Sequence, residues 1–330
     1  MKKVINELID HQSLDKASAR QVLIDMASGQ YNPSQVASFI TVYMMRSITV
    51  AEMEGFRDAM LELCIPVHFE EPVMDVCGTG GDGKNTFNIS TLSSFIVAAA
   101  GQPVAKHGNY GVSSVSGSSN ILEYFGFKFS NDVNLLKRSV AEANICFMHA
   151  PLFHPALKNV APIRKELGVK TFFNMLGPMI NPAFPSRQLV GVFNLELARQ
   201  YAYIYQQTQK DFLVVHALDG YDEVSLTGAF KFYNNEGEHQ FEPEDLGFHR
   251  VKLDDIGGGD SVEAAAQIFT RILSGEGTQA QNEVVLANAG LALYAANRSK
   301  SLEQCIAEAK EALMSGRAMN TFKKLISLQP

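Results

Sequence analysis

Cysteine is scarce in this sequence, with only four residues in a chain of 330. Cys64, Cys77, Cys146 and Cys305 lie far apart, and no two of them form a C-x-x-C pair. Each stands in an apolar setting, which is typical of a buried, reduced thiol. The pattern therefore argues against a disulfide framework and against a cysteine zinc site.

Long apolar runs and surplus positive charge are also missing. No stretch of about 18 apolar residues occurs, and the first residues meet charge before any long apolar run, so we expect a cytoplasmic protein with no membrane segment. The chain has 28 Lys and Arg against 35 Asp and Glu, a formal net charge of -7. A general nucleic-acid binder needs the opposite balance to replace counterions, so nucleic acid is not an expected partner.

The composition, 46% hydrophobic and 19% charged over 330 residues, is that of a globular protein with one large and one smaller domain. Residues 1 to about 65 have helical spacing throughout. Asn32 followed by Pro33 predicts a helix start, and Thr49 with Glu52 predicts a capping box. We therefore predict a small helical domain over residues 1–68.

From residue 73 onward, short apolar runs alternate with helical segments. The predicted strands cover residues 73–77, 103–105, 145–148, 189–193 and 212–215. This alternation predicts an α/β domain over residues 69–330, with a mostly parallel central sheet flanked by helices and ligands at the C-terminal ends of the strands. Residues 151–187 interrupt it with six prolines. We expect part of residues 155–187 to join the small domain in space.

One glycine-rich stretch follows the first predicted strand. Residues 78–83 read GTGGDG, with four glycines in six positions, and the tetrad Asn88 to Thr91 can cap the helix that follows. Converging backbone N–H groups at a helix N-terminus favour a phosphate ligand. The spacing also matches the dinucleotide fingerprint of a dehydrogenase, but the helix does not open directly at the loop and the next strand ends in Lys106-His107 instead of an acid.

Three further stretches carry polar groups. Residues 106–120 combine one lysine with three glycines and five serines, which favours an anion-binding loop over a flexible linker. Asp222 and Glu223 follow a predicted strand, where they form either a solvated turn or a site for Mg²⁺. Arg164 is either a solvated side chain or a carboxylate ligand. The histidines at 107, 149 and 154 lack zinc-ligand spacing and are expected to make structural hydrogen bonds.

Eight motifs together resemble the anthranilate phosphoribosyltransferases of tryptophan biosynthesis. They are GTGGD at 78–82, NIST at 88–91, KHGN at 106–109, VSSxSGS at 112–118, HPA at 154–156, RKELG at 164–168, FNxLGP at 173–178 and DEVS at 222–225. Their order and spacing cover essentially the whole chain. The resemblance implies a homodimer that joins anthranilate to 5-phosphoribosyl 1-diphosphate (PRPP) with Mg²⁺, giving N-(5-phosphoribosyl)anthranilate and diphosphate.

The same resemblance implies a role for each matching residue. Lys106, Asp222 and Glu223 would be catalytic. Ser90, Asp222 and Glu223 would hold Mg²⁺. Gly78, Asn109 and Arg164 would contact anthranilate. PRPP would be bound by Gly78, Gly81, Asp82, Thr86, Asn88, Ile89, Ser90, Thr91, Lys106, His107, Gly108, Asn109, Tyr110, Gly111, Val112, Ser113, Ser114 and Ser118.

Two positions depart from the family pattern: Tyr110 stands where most members have Arg, and Asn120 where most have Asp. Tyr110 removes one charge from the loop, and we expect Asn120 to affect only a helix cap.

The chemistry needs charge neutralisation on departing diphosphate but no strong base, because an aromatic amine is unprotonated at neutral pH. We also expect the helical domain to close over the cleft and exclude water.

A nucleoside (pyrimidine) phosphorylase of the same fold is the main alternative, since it would run the same sugar transfer with phosphate as nucleophile. The alternative interpretation as a nicotinamide dehydrogenase is supported by the glycine fingerprint alone. A non-catalytic nucleic-acid-binding relative would need a basic surface, which the net charge of -7 disfavours.

Overall fold

The computed structural model describes residues 1–111 and 114–329. Its N-terminal region consists of the helices α1 Lys2–Ile9, α2 Lys16–Ala27, α3 Pro33–Met45 and α4 Val50–Glu62. The Asn32 side chain caps α3 by accepting from Gln35 N, with Pro33 at the first helical position. Thr49 and Glu52 form a reciprocal capping box on α4. The helical prediction for this region and both predicted helix starts are confirmed.

A seven-stranded sheet dominates the rest of the described chain, with the order β3-β2-β1-β4-β5-β6-β7. Its strands are β1 Met74–Gly78, β2 Val104–Gly108, β3 Ile145–His149, β4 Arg187–Gly191, β5 Asp211–Ala217, β6 Phe230–Asn234 and β7 Gly237–Phe241. The first five pair in parallel, and β6 and β7 add antiparallel at one edge. The predicted mostly parallel α/β sheet is confirmed. Helices cover both faces of a parallel sheet, so the five parallel strands are short, mostly buried runs without alternation, whereas the edge strand β7 alternates.

The remaining α-helices lie before, within and after the proline-rich segment. Before the proline-rich segment come α5 Ile89–Ala99, α6 Ser118–Tyr124 and α7 Val133–Ala143. The segment itself contains α8 Ala150–Phe153, α9 Ala161–Leu167 and α10 Phe173–Leu176. After it follow α11 Leu195–Gln206, α12 Val262–Leu273, α13 Gln279–Ala296, α14 Leu302–Met314 and α15 Arg317–Ser327. Short 3₁₀ helices cover Pro155–Asn159, Gly177–Ile180, Pro243–Leu246 and Leu253–Ile256.

The chain divides into two compact units. One contains residues 1–67 together with residues 150–184, and the other contains the described residues of 68–149 and those from 185 onward. In the first unit, Phe172 from the proline-rich segment stacks on Phe56 of α4 with ring centroids 4.7 Å apart. Phe39 and Tyr43 of α3 contact the same ring at 6.2 and 5.3 Å. These aromatic contacts explain why residues 150–184 belong with the N-terminal helices.

In the second unit, α5 and α13 pack on each other and on the central strands. Leu92 and Ile96 of α5 and Val284 and Val285 of α13 are fully buried in the core that results. Burial of such side chains stabilises this unit by about 1.5–3 kcal/mol each. Across the part of the chain that the structure describes, no helix has both the length and the apolarity that crossing a membrane requires.

Candidate active site

The glycine loop leaves the C-terminal end of β1 and is tied to the loop after β5. Gly80 and Gly81 have φ angles of +65° and +78°, a left-handed conformation that glycine adopts without strain. The Gly80 N–H donates to Asp222 Oδ2 at 2.6 Å. A Cβ on Gly78 would also meet that carboxylate. The loop and the Asp222 carboxylate therefore hold each other in place.

The two adjacent carboxylates lie where parallel strands end. Asp222 is buried, and Glu223 Oε1 accepts from the backbone N–H of Ser90, in the first turn of α5, at 3.2 Å. Burial raises the pKa of Asp222 well above its ordinary value, and the charges of Glu223 and Asp82 raise it further. Burial also raises the pKa of Glu223, although Lys106 opposes this effect. A bound cation would oppose this effect, because it favours the ionised form of both carboxyl groups.

Lys106 lies beneath this pair and is only 2% exposed. Its Nζ donates to the Val76 carbonyl and to Ser90 Oγ, the latter at 3.4 Å. The ammonium group thus supports Ser90 and stabilises the charged form of Glu223 from within the unit. Direct contact of Lys106 with a diphosphate stays a prediction.

Ser90, Asp222 and Glu223 offer the hard oxygen ligands that Mg²⁺ prefers. Among the described residues, no group of three or more His, Cys, Asp or Glu side chains could hold a metal ion. A site with two carboxylates and one hydroxyl still fits Mg²⁺, because this ion usually keeps water and substrate phosphates as its remaining ligands. These side chains border a small cavity, which is lined by Val76, Cys77, Ser90, Leu189, Gly191, Val215, Asp222, Glu223 and Asn288.

The side-chain cap predicted for α5 is absent. Asn88 occupies the N-cap position of α5, but its side chain makes no capping hydrogen bond. Its Nδ2 instead donates to the Ser116 carbonyl at 2.9 Å, because the second polar loop runs close by. The predicted cap is therefore wrong, and Asn88 links the two loops that the sequence singled out.

The second polar loop is closed at its base by Asn120. The Oδ1 atom of this residue accepts from the N–H groups of Gly111 and Gly117, each at 3.0 Å. The expectation that Asn120 affects only a helix cap is thus too narrow, since Gly111 lies before the helix. Asn85 adds a second link by accepting from Val115 N at 3.3 Å and donating to Gly259 O at 2.7 Å.

Other predicted PRPP residues of the second unit lie along the same loops. Ser118 Oγ donates to the Asn109 carbonyl at 3.2 Å, and Gly108 packs so tightly that a Cβ would meet Ser118 and Phe147. Thr86 forms an isolated bridge with Gly257. The predicted ligands Val112 and Ser113 lie outside the described residues.

Tyr110 is anchored at both ends of its side chain. Its hydroxyl donates to Glu123 Oε1 at 2.6 Å, and its ring meets the His149 ring edge-on at 4.9 Å. His149 Nδ1 lies 2.9 Å from Ser119 Oγ, and burial lowers the pKa of His149. The structural hydrogen bond predicted for His149 is confirmed.

In the other unit, burial lowers the pKa of His154 to about 4, so this side chain is neutral near pH 7.

Arg164 belongs to the small unit and lies on α9. As predicted, this short helix ends at Gly168, whose φ is +64°. The guanidinium lies 4.9 Å from the Phe173 ring centroid, and its Nη2 is 3.5 Å from Asn174 Oδ1. Arg164 Nε is buried without a hydrogen-bond partner among the described atoms. This is not a fully solvated surface group, and a buried donor of this kind suits an anionic ligand.

Asn85, Glu123 and Asn288 also hold the site loops, although no sequence motif singled them out. Asn288 lies on α13, is 2% exposed, and borders the cavity beside the carboxylates. One signal for it existed, because a lone amide interrupts the apolar run of residues 284–296. No sequence pattern indicated Asn85 or Glu123. Asn85 bonds the backbone of Val115 and Gly259, and Glu123 bonds the Tyr110 hydroxyl, and none of these partners follows from a local motif.

Comparison with known proteins agrees with this fold. Residues 2–64 match the family model for the glycosyl transferase family, helical bundle domain, and residues 70–319 match that for the glycosyl transferase family, a/b domain. The class is therefore a glycosyltransferase with a helical bundle and an α/β domain.

Individual relatives identify one family of enzymes within this class of glycosyltransferases. The chain is 59% identical over 329 residues to anthranilate phosphoribosyltransferase of Christiangramia forsetii, with 99% of each chain covered. The Thermus thermophilus anthranilate phosphoribosyltransferase structure has 33% identity and a TM-score of 0.91, covering 98% of each chain. The Saccharomyces cerevisiae enzyme in complex with PRPP and Mg has 26% identity and a TM-score of 0.89, covering 98% of this chain and 96% of that one. This chain belongs to the anthranilate phosphoribosyltransferase family.

Proposed function

We propose that this protein transfers the 5-phosphoribosyl group of PRPP to the amine of anthranilate, giving N-(5-phosphoribosyl)anthranilate and diphosphate in tryptophan biosynthesis. The observation that carries the proposal is the carboxylate pair Asp222-Glu223, bonded to the glycine loop at Gly80 N and to α5 at Ser90 N. In a chain of this family, that arrangement supports a site for a diphosphate and its cation.

Ser90, Asp222 and Glu223 would hold Mg²⁺ in this reaction. When bound, the ion would neutralise charge on the diphosphate leaving group. The glycine loop and the residues near the start of α5 would orient the diphosphate through backbone N–H groups. Lys106 would keep Ser90 in place and favour the ionised form of Glu223. Together these residues would lower the barrier to breaking the C1–oxygen bond, because groups positioned in advance would stabilise the charge that develops on the diphosphate.

The nucleophile needs positioning more than activation. An aromatic amine carries a free electron pair at neutral pH, so it attacks C1 directly and releases its proton afterwards. We propose that Arg164 binds the anthranilate carboxylate, because its buried Nε lacks a partner among the described atoms and its guanidinium is oriented by Phe173. Gly78 and Asn109 are the other proposed contacts of anthranilate. The remaining residues of the two loops are proposed to bind PRPP.

We further propose that the protein is a cytoplasmic homodimer. Exposed apolar side chains support the dimer, since Ile9 at the end of α1 and Met45 at the end of α3 are 58% and 83% exposed. Contact with a second copy of the chain would remove the apolar surface of Ile9 and Met45 from water. Light scattering coupled to size-exclusion chromatography tests this proposal, and a monomer at micromolar concentration would contradict it.

The activity is tested by mixing the purified protein with anthranilate, PRPP and Mg²⁺ and following the loss of anthranilate fluorescence. We expect the loss to require all three components. A parallel sample with phosphate and thymidine or uridine tests the phosphorylase alternative, and a third with NAD tests the dehydrogenase. Nucleoside cleavage without loss of anthranilate would overturn the proposal.

A further inference from the structure

Asn288 clamps the residue that follows the carboxylate pair. Its Oδ1 accepts from Val224 N at 3.1 Å, and its Nδ2 donates to Val224 O at 2.8 Å. The same Nδ2 also donates to Val284 O, one turn earlier on α13, at 2.8 Å. One side chain therefore satisfies both backbone groups of Val224, directly after Glu223, and is itself fixed to its own helix.

The backbone of Asp222 packs closely against the end of β4. Gly191, at the end of β4, lies so close that a Cβ there would collide with the Asp222 carbonyl. The Gly80 N–H holds the Asp222 carboxylate from the direction of the glycine loop. Residues 222–224 are thus confined between the sheet, the glycine loop and Asn288. Without Asn288, the side facing α13 would lose its polar attachment.

The same helix also holds the element that carries Ser90. α5 packs along α13, and Ser93 Oγ donates to the Val285 carbonyl at 3.4 Å. Through α13, the hydroxyl of Ser90 and the carboxylates of Asp222 and Glu223 share one support. Asn288 itself borders the same cavity as these three side chains.

We propose that Asn288 is a positioning residue that fixes Asp222 and Glu223 relative to Ser90 so that the three can bind Mg²⁺ together with PRPP. This inference rests on the proposed function, because it concerns the same site. A side chain that only satisfies buried polar groups would contribute to stability, whereas a positioning residue also sets the geometry of the metal ligands. Removing a hydrogen bond made directly to a metal ligand typically lowers metal affinity by about 10–100-fold, and Asn288 acts on the residue next to a ligand, so we expect an effect near the lower end of that range.

The test compares Asn288→Ala with the wild-type chain and a matched control, Asn234→Ala. Asn234 is also a buried amide that holds backbone, since its Oδ1 accepts from Glu236 N at 2.8 Å and Gly237 N at 3.0 Å in the β6–β7 turn. Calorimetry measures the Kd of PRPP with and without Mg²⁺ for each chain. Steady-state kinetics measures the Mg²⁺ concentration for half-maximal rate, the KM for anthranilate and kcat. Thermal unfolding gives Tm.

For Asn288→Ala we expect the Mg²⁺ concentration at half-maximal rate to rise about tenfold or more. The gain in PRPP affinity on adding Mg²⁺ should shrink, while the KM for anthranilate should change by less than about twofold. Asn234→Ala should lower Tm without moving either Mg²⁺ readout. An unchanged Mg²⁺ response in folded Asn288→Ala would overturn the proposal.

A second variant covers the case in which Asn288→Ala does not fold. Asn288→Ser keeps a hydroxyl that can donate to the Val284 carbonyl one turn earlier on α13, but it is too short to keep the bonds to Val224, so we expect the Mg²⁺ concentration at half-maximal rate to rise clearly above that of wild type. Unfolding of both variants would also overturn the proposal, because it would make Asn288 a residue of stability alone. Failure of the proposed function would look different, since the wild-type chain itself would then show no transfer to anthranilate.

Discussion

Replacing Tyr110 with arginine tests how the phosphate loop is held in this chain. The substitution removes the hydroxyl bond to Glu123 and the edge-on contact with His149. A hydrogen bond to a charged group contributes about 1.5–3 kcal/mol at most, and less here because Tyr110 is 41% exposed. The ring contact contributes about 0.5–1.5 kcal/mol. An arginine at this position restores about 0.2–1 kcal/mol by pairing with Glu123.

With the exposed hydrogen bond taken at about 1 kcal/mol, the midpoints of these contributions leave a net loss of about 1.4 kcal/mol of loop stability. Only part of that loss reaches the transition state, so we expect kcat/KM to change by less than about tenfold. Steady-state kinetics with PRPP varied measures it, and circular dichroism confirms the fold. Tyr124→Arg is the matched control, because Tyr124 is a 50% exposed tyrosine beside Glu123 on α6 whose ring packs edge-on against Phe125. A hundredfold loss in folded Tyr110→Arg, with normal Tyr124→Arg, would refute this reasoning.

Three other outcomes are expected. Asp222→Asn combined with Glu223→Gln should leave a folded but nearly inactive protein, measured by anthranilate fluorescence; full activity, or undiminished wild-type activity in excess EDTA, would contradict the metal role. Arg164→Ala should raise the KM for anthranilate by about tenfold or more and change that for PRPP little, whereas the exposed neighbour Lys165→Ala should change neither. Because the pKa values of Asp222 and Glu223 are raised, protons should compete with Mg²⁺, so the Mg²⁺ concentration for half-maximal rate should rise as pH falls from about 8 to 6. A pH-independent Mg²⁺ requirement would show that these carboxyl groups do not bind the ion.

Much of the fold follows from local signals in the sequence. The predicted strands at 73–77 and 145–148 agree with β1 and β3 to within a residue or two, because their apolar runs are bounded by polar or glycine residues. Asn32-Pro33 and the Thr49/Glu52 pair predict helix starts correctly, since capping involves only neighbouring residues.

The loop contacts could not be predicted in the same way. The cap assigned to Asn88 is wrong because a carbonyl 28 residues away competes for its side chain. Asn288 supports Val224 across 64 residues of chain. Such partners are set by helix packing and strand order, which local patterns do not contain. The sequence could thus predict candidate phosphate ligands, but not which residues hold the loops that carry them.

The domain boundary predicted at residue 68 and the residue roles carried over from the family stay predictions. What the structure adds is the physical support for some of these roles, such as the bonds of Gly80 and Ser90 to the carboxylate pair. Those bonds connect three chain segments that the sequence analysis could only treat separately.

The central claim is that this chain joins anthranilate to the phosphoribosyl group of PRPP at the site built around Asp222 and Glu223. The most direct measurement is mass spectrometry of the reaction mixture, with diphosphate release measured alongside it, for wild type and for Asp222→Asn combined with Glu223→Gln. We predict one N-(5-phosphoribosyl)anthranilate per diphosphate from the wild-type chain, and almost none from the folded double variant. Diphosphate release without the anthranilate adduct, or equal adduct formation by both proteins, would contradict the account.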